Sequence, residues 1–245
     1  MPRLARIVIP DIPHHITQRG NNKQDVFFVD DDRIVYLRFL KEQAARFSVI
    51  IEGYCLMTNH IHIIATPHKE NTLARVMGKT NLLYSQYINF MHKRSGHLWQ
   101  NRFYSCPLDS RHFYIALSYI ERNPVRSKMT KLPWTYRWSS ASAHIGEEDE
   151  FGLIDVGHWR QQSTEMNWEN ILRAGIDDRQ MNRIRIHCRT GRPLGSDSFI
   201  SKLERLIGRR LRALPVGRPK KKSGIKSREK ATKKERRNRR KINPR

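Results

Sequence analysis

The run Val49-Ile50-Ile51-Glu52-Gly53-Tyr54-Cys55-Leu56-Met57 is rich in β-forming residues, and after Thr58-Asn59 a second such run, His60 to Thr66, begins at once. Two β-rich runs joined by so tight a connection predict an antiparallel hairpin, and the hairpin constrains everything around it. His60 and His62 open its second strand. Side chains two apart leave the same face of a strand, so both imidazoles are aimed at one place; on a helix the same spacing would splay them. The pair reads as half of a metal site. A third ligand is what separates ligation from histidines that merely pack.

Mixed α and β patterns surround the hairpin over residues 1–145. Ile7-Val8-Ile9 and His15-Ile16-Thr17-Gln18-Arg19 are strand candidates, punctuated by Pro10, Pro13 and Gly20. Asp30 or Asp31 can cap a helix running to about Phe47, and Asn71 or Thr72 opens another reaching Met91. An extended segment, His97 to Tyr104, follows Gly96. A third helix starts after Asp109 or Ser110 and is expected to stop at Asn123, because Pro124 disfavours helical geometry in the residue before it. Phe113, Ala116, Leu117 and Ile120 form its core stripe, leaving Tyr119 off the stripe, at the edge of a groove. Asn123, four residues on, stacks over Tyr119, so a phenol and an amide oxygen face one place. Tyr84, Tyr87, Tyr104 and Tyr114 are rival phenols, but none has both an amide at that spacing and a proline stop. A tyrosine beside a core stripe also has a plain packing role open to it. A tyrosine nuclease has these parts.

The charge points to a polyanion. Lys and Arg number 47 against 23 Asp and Glu, a net +24, which suits DNA or RNA. No apolar run approaches the roughly 18–20 residues of a membrane span, and the beginning of the chain has no apolar signal stretch, so a soluble, cytoplasmic, nucleoid-associated protein is expected. Cys55, Cys106 and Cys188 lie far apart in sequence, without paired metal-ligand spacing, and read as buried or idle thiols. Residues 218–245 hold 15 Lys or Arg against Glu229 and Glu235 and almost nothing apolar, the composition of a disordered basic arm. Between them, residues 146–217 begin on Glu147-Glu148-Asp149-Glu150 and carry helical spacing in 177–186 and 198–211, a helical accessory region that either holds DNA or packs on the catalytic part. Deleting everything after Gly217 is expected to weaken nucleic-acid binding chiefly at low salt and to flatten its salt dependence; equal salt slopes with and without the arm would dismiss phosphate contact.

Six stretches together bring a family into view: Met1-Pro2-Arg3, His15 to Gly20, Met57 to His62, Gly96 to Ser105, Tyr119-Ile120-Glu121-Arg122-Asn123-Pro124-Val125-Arg126, and Trp138-Ser139-Ser140-Ala141. In these the chain resembles the REP-associated tyrosine transposases, a branch of the single-tyrosine HUH transposases. Thr58 stands where many relatives have proline. The resemblance implies an α+β catalytic domain, 1–145, with a ferredoxin-like antiparallel sheet. It also implies a divalent cation, Mg²⁺ or Mn²⁺, on His60 and His62 with Asn123 as third ligand, and Tyr119 as nucleophile. Its implied substrate is single-stranded DNA at hairpins formed by repetitive extragenic palindromes, cut through a 5′-phosphotyrosine and rejoined to a second strand. No nucleotide cofactor is called for, and a homodimer is open.

Arg3, Arg6, Arg19, Arg102, Arg122 and Arg126, together with Arg111, are candidates to grip phosphates or bases, and Trp99, Trp134 and Trp138 to stack on unpaired ones. Each has a plainer role available, solvated surface for the arginines and core for the tryptophans. Two other activities compete: a nucleic-acid binder without catalysis, which would form no covalent adduct, and a replication-initiator nuclease of the wider HUH group.

Overall fold

A computed structural model describes residues 6–213; Arg3 and the basic arm from Arg218 onward lie outside the described residues. The predicted hairpin forms, β2 (Val49–Met57) pairing with β3 (His60–Pro67). With β1 (His14–Arg19) and β4 (Tyr104–Pro107) they make a sheet in the order β2-β3-β1-β4, every pairing antiparallel. Helix α1 (Asp30–Arg46) connects β1 to β2 and α2 (Thr72–Met91) connects β3 to β4. Each crossover skips one strand, which is the double split β-α-β of a ferredoxin-like sheet. The fold is α+β, as the sequence implies.

Thr58 is accommodated at the hairpin turn because its carbonyl accepts the Val26 and Phe27 N–H groups at 2.9 and 3.2 Å, tying the turn to the loop before α1. That helix begins where Asp32 accepts from the N–H groups of Phe28 and Val29 at 2.7 and 3.1 Å. Tyr36 of α1 and Tyr84 of α2 meet edge to face, with ring centroids 5.1 Å apart, and are fully buried.

Ile7-Val8-Ile9 forms no strand. Pro10 and Pro13 lack ladder donors, and the apolar side chains serve packing instead: Ile9 is buried with Leu203 and Leu211, and Ile7 and Ile12 lie against the same cluster. His14 does for this loop what a ladder would have done. Its Nε2 accepts the Ile9 N–H at 3.2 Å and its Nδ1 donates to the Ile12 carbonyl at 2.7 Å, an arrangement that needs the neutral ring. Burial pushes the imidazole down to about 4. Because this lies below the unfolded value near 6.5, acid favours the unfolded chain: the contribution is complete above about pH 6.5 and drains away as pH falls toward 4, by up to about 3 kcal/mol. His14→Gln should therefore show a shallower loss of stability in urea unfolding between pH 7 and 4.5; an unaltered slope would clear His14.

After β4 the chain is helical. Helix α3 (Ser110–Glu121) starts at Asp109, whose carboxylate accepts the His112 N–H at 2.8 Å. It ends two residues earlier than Pro124 alone suggests, and a further turn, α4 (Asn123–Arg126), follows with the proline near its start, where a missing N–H costs nothing. Then come α5 (Ala141–His144), α6 (Val156–Gln162), α7 (Trp168–Ala174), α8 (Asp178–Thr190) and α9 (Asp197–Ile207). The segment 146–211 is built into the same compact unit as the sheet, up to Leu211. Both sheet edges are covered: Leu56 N–H reaches the Trp138 carbonyl and Ser140 N–H the Tyr54 carbonyl along β2, while Leu194 N–H reaches the Pro107 carbonyl beyond β4. Among the described residues no helix is long and apolar enough to cross a membrane.

Candidate active site

Register decides which side chains share a face. His60 lies opposite Arg19, His62 opposite Thr17 and Cys55, and His15 opposite Ile64 and Cys106. Residues paired across an antiparallel sheet point the same way, so His15, His60, His62, Cys55 and Cys106 all rise from one face. Helix α3 packs there. It comes close because β2 carries a glycine, Gly53, where any Cβ would overlap Leu117 of α3.

The histidines form a contiguous group. Ring centroids of His60 and His62 are 5.1 Å apart, and those of His62 and His15 also 5.1 Å. Hydrogen bonds determine which nitrogens remain free. Asn59 spends its Nδ2 on the Lys23 carbonyl at 3.1 Å, so its Oδ1, 2.7 Å from His60 Nδ1, must accept the imidazole proton. Nε2 of His60 is left with its lone pair. Nδ1 of His62 lies 2.9 Å from Nε2 of His15, which again leaves Nε2 of His62 as the outward nitrogen. Burial, then the charges of Arg19 and Arg126, push His60 down to about 4. Burial, then the neighbouring His60 and His15, hold His62 well below its ordinary value. Both are neutral at physiological pH, the form a metal ligand must have.

Tyr119 is not at an open groove edge. It is buried, 6% exposed, between the histidines and Arg126. Its ring centroid is 5.8 Å from that of His62 and 6.1 Å from that of His15, both edge-on, and the Arg126 guanidinium lies 4.2 Å over the ring. The extra turn α4 explains this: because the chain coils on past Pro124, Arg126 comes back beneath the tyrosine, two turns from it. Arg126 also donates to Asn123 Oδ1, and the buried Asn123 Nδ2 has no hydrogen-bond partner among the described residues. The structure thus brings His60, His62 and Tyr119 together, with Asn123 joined to the phenol through Arg126.

Glu121, two residues past Tyr119, anchors the helix. Its fully buried carboxylate accepts Ser140 Oγ–H at 2.6 Å, His144 Nδ1 at 2.5 Å and Trp168 Nε1–H at 2.9 Å, fastening α3 to α5 and α7. Glu121→Ala strands three buried donors and is expected to cost about 3–5 kcal/mol, read as a lowered urea midpoint. A midpoint within the error of wild type would deny the anchor.

The other arginines divide. Arg19 and Arg102 are exposed, Arg19 beside His60 in the sheet register. Arg6 lies flat on Phe103, 3.7 Å from the ring centre, and donates to the Phe103 carbonyl at 3.1 Å. Arg122 turns away from the histidines and donates to the Leu172 and Arg173 carbonyls at the end of α7. Trp138 is buried, whereas Trp99 and Trp134 are half-buried.

Sequence reading missed His15, which its place in β1 puts diagonally beside His62, and it set aside two cysteines that the fold brings together. A ring nitrogen of His15 and the Sγ atoms of Cys106 and Cys188 all lie within 4.8 Å of one another, all buried. A hydrogen bond from the Cys188 thiol, helped by His15, pulls Cys106 below the ordinary thiol value against the opposing effect of burial. Strand alternation hinted at His15; nothing in the sequence hinted at Cys188.

Residues 9–123 match the family model described as "Transposase IS200 like". In this segment the chain is similar to the IS200-like transposases. Among solved structures the chain is similar to a REP-associated tyrosine transposase bound to a REP hairpin, with 14% identity, a TM-score of 0.52, and 64% of this chain and 90% of that one covered. It also aligns with a transposase of Deinococcus radiodurans R1, described as putative, at 14% identity and a TM-score of 0.36, covering 49% of this chain and 97% of that one. No curated protein matches. The likeness to the solved REP-associated tyrosine transposase is one of fold.

Proposed function

We propose that this chain is a transposase of the IS200-like kind, a sequence-specific endonuclease and strand transferase for single-stranded DNA at REP-type hairpins, working through a 5′-phosphotyrosine at Tyr119. The observation that carries the proposal is the meeting of Tyr119 with His62, edge to face at 5.8 Å, on the sheet face that also holds His60. The donor set fits a divalent cation such as Mg²⁺ or Mn²⁺. His60 and His62 would hold it through Nε2, both being neutral with Nδ1 engaged elsewhere. Asn123 would join through its amide oxygen once Arg126 releases it. When bound, the cation supplies Lewis acidity to a non-bridging phosphate oxygen.

The chain's own residues account for the rest. The Tyr119 oxygen attacks phosphorus and gives its proton to water; the bond to the 3′ oxygen breaks, and that oxygen takes a proton and leaves as a free hydroxyl. Arg126, held over the phenol, opposes the negative charge that develops on the oxygen and the phosphate. One phosphodiester is exchanged for another phosphate ester, so a 3′-hydroxyl from a second strand can reverse the step and rejoin DNA. Arg19 and Arg102, both exposed, would hold backbone phosphates. The hairpin preference rests on the solved relative, whose bound DNA is a REP hairpin.

The test mixes the protein with labelled single-stranded oligonucleotides, with and without a hairpin, in Mn²⁺. A DNA adduct that survives denaturant and depends on the hairpin is expected. Tight binding with no adduct under any cation would establish a binder instead.

A further inference from the structure

Behind the two histidines lies a second donor set that the reaction does not use. His15 and Cys106 are direct cross-strand partners on β1 and β4, and Cys188 descends on them from α8. The three side chains are 1%, 0% and 4% exposed. Nε2 of His15 lies 2.9 Å from His62 Nδ1, and its other nitrogen, Nδ1, is buried and makes no hydrogen bond of ordinary geometry among the described residues. One ring nitrogen of His15 lies within 4.8 Å of both thiol sulfurs, and with Nε2 turned to His62 it is Nδ1 that is left for them.

We propose that Cys106, Cys188 and His15 Nδ1 bind one soft divalent cation of the Zn²⁺ class, and that this cation and a metal on His60 and His62 exclude each other. Thiolates select zinc over magnesium or manganese. With Zn–S near 2.3 Å and Zn–N near 2.0 Å, tetrahedral donors stand roughly 3.3–3.8 Å apart. A group already within 4.8 Å therefore needs only small side-chain rotations to close. Water would take the fourth position. The cation would clip α8 to the middle of the catalytic sheet.

Exclusion follows from counting protons along the bond between the two rings, and this half rests on the proposed function. A neutral His62 that ligates through Nε2 carries its proton on Nδ1 and donates it to His15 Nε2. A neutral His15 that ligates through Nδ1 carries its proton on Nε2 and donates it to His62 Nδ1. Both at once would set two N–H groups head to head across 2.9 Å. Relief requires an imidazolate or a broken contact, so each metal disfavours the other, reciprocally.

Co²⁺, a spectroscopic stand-in for Zn²⁺, tests the site in the full chain kept reduced and freed of metal. A near-ultraviolet thiolate-to-cobalt band should saturate at one Co²⁺ per chain and be bleached by Zn²⁺. It should vanish in Cys188→Ser and persist in Cys55→Ser and His60→Ala. No band in the wild-type protein, where folding is not in question, overturns the site, as does a band that survives Cys188→Ser. ¹⁵N resonances of the imidazoles then read the coupling without a second metal: Zn²⁺ loading should place the His62 proton on Nε2, and a proton on Nδ1 overturns the exclusion. Mn²⁺ bound to the wild-type protein should weaken at least tenfold on Zn²⁺ loading but not in Cys188→Ser. Mn²⁺ binding that is as strong in His60→Ala as in wild type would sink the reading of the histidine pair and leave the cobalt band to decide the site alone.

Discussion

Tyr119→Phe abolishes the covalent DNA adduct and leaves hairpin binding intact. The phenylalanine ring keeps the edge-on contacts with His15 and His62 and the stacked Arg126, so only the nucleophilic oxygen is removed. Loss of a nucleophile typically costs on the order of 10⁴–10⁶ in rate, and among the described residues Tyr119 is the phenol in ring contact with the histidines. Tyr84 is fully buried, donates to the Val26 carbonyl at 2.6 Å, and is pushed by burial far above the ordinary phenol value. Burial also raises Tyr87 and Tyr114. Tyr104 is exposed and, opposite Thr17, rises from the same sheet face as the histidines, but among the described residues it makes no ring contact with them, whereas Tyr119 meets both His15 and His62. Gel analysis after denaturation, with fluorescence anisotropy for binding, separates the outcomes. An adduct of wild-type intensity in Tyr119→Phe would assign the chemistry to a different residue.

What the sequence made legible was local. The hairpin from Val49 to Pro67, the two crossover helices and the start of α3 each follow from periodicity and punctuation within a dozen or so neighbours, and they formed where expected. His60 and His62 were legible for the same reason, since a strand alone fixes their common face. What escaped depends on residues far apart in the chain. His15 meets His62 across 47 positions, and Glu121 collects donors from Ser140, His144 and Trp168; no window along the chain contains either group. Arg122 and Arg126 sit four apart in one motif, yet one caps α7 and the other covers Tyr119, a division set by the turn α4. Ile7-Val8-Ile9 misled because apolar β-branched residues serve a packed loop as readily as a strand.

His60→Ala and His62→Ala should each remove cation-dependent cleavage, by about 10³-fold or more, since a site with so few protein donors loses much of its hold on the cation with either ring. Their side effects should differ, and the difference tests the hydrogen-bonding scheme. His60 is half-buried, and its Nδ1 partner Asn59 is reachable by water, so its loss exposes little and stability is nearly unchanged. His62 is 7% exposed and is the hydrogen-bond partner of His15 Nε2. Truncating it strands that buried nitrogen and opens a cavity beside Tyr119, a cost of about 2–4 kcal/mol. In a chain of this size that corresponds to a melting temperature lower by roughly 5–15 °C. Both variants inactive, with only His62→Ala thermally weakened, is the pattern that this sheet face predicts. Equal stability in the two would mean that the contact between His15 and His62 is not made in solution, and with it would go the account of which nitrogen of His62 faces the cation.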